Sequence, residues 1–342
     1  MKPSFRNKRI FVVLILILII SFILNLSLGS VDIPIRKVLG ALFGKIENNS
    51  WQYIIGNYRL PKAITAVLTG AGLGVSGLMM QTLFRNPLAG PFVLGISSGA
   101  SLGVALVILA SGITGNVIGG LLMNQWTLVI ASSLGSFLVL LVVLIVSLKL
   151  RDSMALLIVG LMFGSITSAL VSVLAYFSTA EKIQQYMFWG FGSLGNLDFK
   201  SLMVLGSICL LGLLICLFSI KDMNAMLLGE NYAKSMGVKF NRNRFLIIIS
   251  TSLLAGGITA FVGPIAFIGL AIPHIARLLF KTSNHHVLVP CILLIGAISM
   301  LICDSVAQLP NSDYTLPINA ITSIIGAPVV IWLLLRKRKM IF

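Results

Sequence analysis

The chain has 342 residues, of which 58% are hydrophobic and 10% charged, against about 25% charged in soluble domains. A mean hydropathy of +1.04 over the whole length excludes an ordinary soluble protein and leaves no sizeable water-facing domain for independent chemistry. The formal net charge of +16 would suggest nucleic acid in a soluble protein, but the basic residues sit at the ends and in short loops, as in cytoplasmic anchoring; no nucleic-acid partner is expected.

In chain order, a basic stretch at 1–9 precedes an apolar run to Leu28. The run lacks a small-residue cleavage site and is longer than a leader's apolar core, so it reads as a retained first span. Further spans are predicted at about 60–82, 92–110, 126–148, 154–177, 201–219, 244–262, 264–280, 287–307 and 318–335, since about 20 apolar residues cross the roughly 30 Å of hydrocarbon. The runs are continuous and lack the two-residue alternation of a barrel. The expectation is an all-α polytopic membrane protein of ten transmembrane helices, a single transmembrane domain over 1–342. With the N-terminus inside, all Lys and Arg residues face the cytoplasm except Arg36, Lys37, Lys45, Arg59, Lys62, Lys182 and Lys200. That asymmetry supports the span count and places both termini in the cytoplasm.

Two connections exceed what a turn needs. The outer segment 29–59 carries Trp51, Tyr53 and Tyr58, an interfacial aromatic pattern. The inner segment 221–243 is broken at Gly229 and Gly237. Met223, Met226, Leu227 and Leu228 can share one apolar face, and Tyr232 and Met236 stand four apart. Two short surface helices are expected, either lying passively on lipid headgroups or forming a platform for a cytoplasmic partner.

Several motifs have bland explanations. Gly72, Gly74 and Gly77 match GxGxxG, but inside an apolar helix rather than at a strand-to-helix turn. The pairs Gly70 and Gly74, Gly99 and Gly103, and Gly160 and Gly164 read as GxxxG contacts that let helix backbones approach in lipid. GALFGK at 40–45 lacks the Walker A spacing. His285 and His286, placed in an inner loop, lack further ligands for a metal, and His274 reads as part of a polar helix end. Asp304 is the carboxylate placed within a span, near its outer end, where hydration or pairing inside the bundle is favoured over a functional reading. Cys209, Cys216, Cys291 and Cys303 lie in apolar runs and read as buried packing groups. No catalytic constellation is present, which leaves transport or channel formation, and there is neither a repeated filter nor a ring of charge.

The stretch RLPKAITAVLTGAGLGVSGLMMQTLFRNPLAGPFVLGISSGASLG at 59–103 resembles the FecCD-type permeases of ABC importers for iron-siderophore, haem and cobalamin. LLGENYAKSMGV at 227–238, GPIAFIGLAIPHIARLL at 263–279 and LPINAITSIIGAPVVIWLLL at 316–335 are further matches in the expected order. The resemblance implies the type II importer permease fold, and a non-catalytic transport subunit in the bacterial cytoplasmic membrane. It also implies a second permease copy or homologue, two ATP-binding subunits holding ATP and magnesium, and an extracytoplasmic substrate-binding protein. No cofactor or metal is expected on this chain itself. Leu228, Gly229, Glu230, Ala233 and Gly237 match the ATPase-coupling segment. Arg59 and Lys62 match the docking positions for the binding protein, against which stands simple interfacial snorkelling. A third docking position, basic in the family, is the uncharged Gln308 here, so the resemblance does not extend to that contact. Ser153, Met154, Gly160 and Gly164 match the gate and pathway of the fifth span. Iron-siderophore is the first expectation for cargo, then haem or cobalamin. A carrier driven by an ion gradient is the alternative from another class.

Overall fold

The computed structural model describes residues 5–42, 49–110, 125–149, 153–309, 312 and 314–335. Each of the ten predicted spans has its helix. They are α1 (Phe5–Ser27), α4 (Leu60–Phe84), α5 (Ile96–Ile108), α6 (Gln125–Lys149), α7 (Ser153–Tyr176), α9 (Phe199–Met226), α11 and α12 (Phe240–Thr251 and Gly257–Val262), α13 (Ile268–Phe280), α14 (His285–Ala307) and α15 (Ile318–Leu335). Between them lie α2 (Ile35–Leu42), α3 (Asn49–Ile54), α8 (Ala180–Phe191) and α10 (Glu230–Ser235). A π-helical turn, Ile55–Arg59, joins α3 to α4, and another, Ser252–Gly256, joins α11 to α12.

Among the described residues, seven helical stretches are long and apolar enough to cross a membrane; Ile96–Ile108, Ile268–Phe280 and Ile318–Trp332 are shorter. A helix of 13 residues covers only about 20 Å at 1.5 Å per residue, so α5 and α13 need non-helical backbone to complete a crossing. That backbone is tolerated at membrane depth only where protein satisfies it. Before α5 the chain makes a 3₁₀ turn, Pro91–Leu94, and reverses through the left-handed Gly95. Before α13 the Ala266 amide donates to the Asn319 side chain at 3.0 Å. There Phe267 is left-handed with φ 64°, and Gly326 on α15 gives it room, since a Cβ at Gly326 would stand 2.4 Å from the Phe267 Cβ.

The chain forms two compact units interleaved along the sequence. The first comprises Met1–Val75, Ser193–Ser207 and Ile265–Ile341. Within it α1 packs along α14, α13 lies against α14 and α15, and α4 crosses α14 at Gly70 and Gly296. A Cβ on Gly70 would fall 2.0 Å from the Gly296 carbonyl oxygen, and one on Gly296 would fall 2.3 Å from that of Gly70. This is backbone-to-backbone packing of the small-residue kind. The second unit comprises Ser76–Gly192 and Ile208–Pro264. Its centre is the α5–α6 pair, in which Gly99 meets Gly135 and Gly103 meets Ala131 at similarly short range. The GxxxG reading of residues 70–74 and 99–103 therefore holds, and the facing residues Gly296, Gly135 and Ala131 complete it.

Two expectations are corrected. The first of the two short helices predicted at 221–243 is not separate: α9 runs on to Met226, and Met223 and Met226 are buried rather than on a surface face. His285 and His286 begin α14 rather than lying in a loop, because Asn284 caps the helix by accepting from the His286 amide at 3.0 Å. The helix α8 was not foreseen, although Thr179 and Glu181 mark its start. Part of the 40–45 motif lies outside the described residues.

Candidate functional site

The first unit concentrates its polar chemistry where the start of α4 meets the ends of α1 and α14. The π-helical turn brings Arg59 round to the C-terminal end of α1, where its guanidinium donates to the carbonyls of Leu26 and Ser27, each at 2.7 Å, and to that of Val31. A cation there satisfies carbonyls that a helix leaves unpaired and complements the helix dipole. Gly29 makes the space, since a Cβ on it would stand 2.7 Å from the guanidinium. One turn further on, Lys62 Nζ lies 3.1 Å from Asp304 Oδ1. The other carboxylate oxygen accepts from Asn25 Nδ2 at 2.9 Å and from Gln308 Nε2 at 2.7 Å. Asn25 also reaches Ser305 Oγ at 3.1 Å. Asp304 is thus a buried carboxylate paired within the bundle rather than hydrated, and its charge is held by three donors.

The second unit carries the elbow between α9 and α11. The end of α9 is closed by the Leu228 and Gly229 amides, which donate to the Ala225 and Met226 carbonyls. Gly229 adopts φ 109° and ψ 158°, a conformation open essentially to glycine. Arg85 approaches the same point, 3.6 Å from where a Cβ on Gly229 would be. Glu230 opens α10 and pairs with Lys234 at 2.7 Å, and the Lys234 ammonium stands 5.8 Å over the Phe240 ring. The helix ends in a Schellman motif: the Gly237 amide donates to the Lys234 carbonyl and the Val238 amide to that of Ala233, with Gly237 left-handed at φ 84°. Ala233 is fully buried, whereas Leu228, Tyr232 and Met236 are exposed at 61%, 57% and 59%. Tyr232 lies on the helix and Leu228 and Met236 flank it, so three exposed apolar side chains surround an elbow with a glycine at each end.

The fifth-span residues divide. Ser153 and Met154 begin α7, and their side chains lie outside the described residues. Gly160 and Gly164 turn toward the start of α5: the Gly160 carbonyl is 3.2 Å from where a Cβ on Gly95 would stand, and a Cβ on Gly164 would be 3.4 Å from Ser98 Oγ. They serve helix contact, while Ile158, Leu161, Met162 and Ile166 form an exposed apolar face of α7. The α8 helix, unforeseen from the sequence, joins α5 through the Tyr186 hydroxyl and Ser101 Oγ. All four cysteines are free and buried. Among the described residues, no group of three or more His, Cys, Asp and Glu side chains is placed to hold a metal.

A bundle of apolar spans, two of them short and completed by irregular backbone, with a rigid cap-ended elbow on one connection, is the architecture of a membrane transport permease. The family model described as the FecCD transport family matches residues 17–336, and the chain belongs to that family. It is 37% identical over 336 residues to the vitamin B12 import system permease protein BtuC of Klebsiella pneumoniae, covering 97% of this chain and 95% of that protein. The corresponding protein of Citrobacter koseri is 36% identical over 84% of each chain. Among solved structures, one described as a metal-chelate type ABC transporter in an inward-facing conformation superposes with a TM-score of 0.83 at 32% identity, covering 96% of this chain and 99% of that one. PsaBC from Streptococcus pneumoniae in complex with Fab shares the fold at a TM-score of 0.53 and 16% identity, over 87% and 95% of the two chains.

Proposed function

We propose that this chain is the membrane-spanning subunit of an ABC importer of the bacterial cytoplasmic membrane, carrying a bulky metal chelate inward. Two copies, or this chain and a homologue, would enclose one pathway. Two ATP-hydrolysing subunits would grip the α9–α11 elbow from the cytoplasm, and a substrate-binding protein would dock outside near Arg59 and Lys62. The observation that carries the reading is the elbow. Exposed Leu228, Tyr232 and Met236 lie on and beside a six-residue helix flanked by glycines in conformations other residues avoid. A lever must be rigid to convert closure of a motor into movement of the spans, and it must expose apolar surface to be gripped.

The relatives' named substrate, vitamin B12, is itself a metal chelate and supports that cargo class; iron-siderophore and haem complexes share its bulk. The exposed face of α7 is apolar, which suits passage of a bulky complex without tight binding. The test is uptake by the chain reconstituted with its ATPase and binding protein, using labelled cobalamin, haem and a ferric siderophore in parallel. ATP-dependent accumulation of one of them is expected. Accumulation that persists with a hydrolysis-dead ATPase under an imposed proton gradient would instead make the chain an ion-driven carrier.

A further inference from the structure

Lys62 is offered to any outside partner as half of an ion pair, and the geometry points to Asp304 as the residue that sets how strongly an acidic partner can hold it. This rests on the docking role proposed for Lys62. The Asp304 side chain is 3% exposed and that of Lys62 22%, so a partner can reach the lysine but not the acid behind it. Asp304 cannot follow a departing lysine outward, because Oδ2 is held by Asn25 at 2.9 Å and Gln308 at 2.7 Å. Lys62 is steadied along its stem, whose Cδ and Cε lie 3.7 and 3.8 Å from where a Cβ on Gly195 would stand. An ammonium has three donors. One faces Asp304 Oδ1 at 3.1 Å, and a carboxylate arriving from the exposed side would meet the others. That carboxylate is drawn by the ammonium and repelled by the fixed negative charge just beyond it. Asp304 therefore acts as a positioning residue that orients Lys62 and lowers its hold on the partner, so that a binding protein delivers its cargo and leaves.

The experiment measures affinity and dissociation rate of the binding protein on the full chain, reconstituted with its ATPase in lipid, at low and high salt. Asp304→Asn keeps the shape of the cluster while removing the opposing charge, and roughly 3- to 10-fold tighter docking with slower dissociation and a steeper salt dependence is expected. Asp304→Glu restores the charge and brings docking back toward the wild-type value. Lys62→Met combined with Asp304→Asn removes both charges and docks more weakly than wild type. An Asp304→Asn chain that binds no more tightly, or a neutral pair that binds as tightly as Asp304→Asn, overturns the assignment. Should Asp304→Asn fail to fold, Gln308→Leu carries the test with opposite sign: with one donor gone the carboxylate holds Lys62 harder and docking weakens, and unchanged docking overturns the proposal. A wild-type chain that binds no such protein overturns the importer reading and this inference with it, whereas wild-type binding indifferent to Asp304 overturns this inference alone.

Discussion

Arg59 shows how one side chain can join two levels of structure. Its guanidinium closes the C-terminal end of α1 and reaches Val31 in the following turn, so it fixes the path of the chain from α1 toward α2. Hydrogen bonds from a charged donor contribute about 1.5–3 kcal/mol each when their loss strands buried acceptors. Arg59→Met is expected to lower stability by about 2–4 kcal/mol, read as a drop in melting temperature of the detergent-solubilised chain. Arg59→Lys should recover only part of this, because a single ammonium does not reproduce the fork that meets neighbouring carbonyls. A role in docking alone predicts an unchanged melting temperature for both. Docking was the reading that the resemblance supplied for Arg59, and nothing in the linear sequence showed which carbonyls it would meet.

At the scale of elements, close helix crossings decide the packing. Gly70 and Gly296 leave no room for a Cβ against the facing backbone, so Gly296→Val must push α4 and α14 apart. A cost of about 3 kcal/mol or more is expected from overpacking at a backbone contact, visible as loss of folded protein in membranes or a much lower melting temperature. Gly206→Ala is the control, since its Cβ would meet only a leucine methyl at 3.9 Å. At the start of α9, Asp198 accepts from the Ser201 amide at 2.9 Å. Hydrogen bonds from the Ser201 side chain and amide, chief among its influences, hold this exposed carboxyl below the ordinary carboxylate range. A folded-state pKa below the unfolded one adds stability at pH values above the unfolded pKa, and that increment is lost as pH falls through the folded one. The melting-temperature gap between wild type and Asp198→Ala should therefore be full at neutral pH and shrink in acid below about pH 4. A gap that widens in acid would have the wrong sign for this cap.

At the scale of the whole molecule, function depends on whether movement at the elbow reaches the spans. Gly229 and Gly237 hold their backbone in glycine-favouring conformations, and the exposed Tyr232 and Met236 are the edge proposed for the motor's grip. Tyr232→Ser with Met236→Ser leaves the buried Ala233 side of α10 untouched, so folding should persist while ATP-driven uptake falls by about tenfold or more, as expected for removal of interface anchors. Gly237→Val distorts the hairpin itself and should reduce both uptake and co-purification of the ATPase. If the double serine variant transports at the wild-type rate, the elbow is not the grip.

The ten spans, their all-helical character and the glycine pairs at 70–74 and 99–103 were legible in the linear chain, because solvation in lipid imposes length and hydropathy residue by residue. The elbow was legible at Gly229 and Gly237, since punctuation by glycine is local, but where α9 stops was not. Met223 and Met226 look like a surface face until packing buries them. The pairing of Asp304 with Lys62, Asn25 and Gln308 was decided only by the tertiary structure, because it joins positions up to 279 residues apart whose meeting depends on how α1, α4 and α14 cross. Local chemistry is written along the chain, while a buried charge finds its partners only when distant helices close around it.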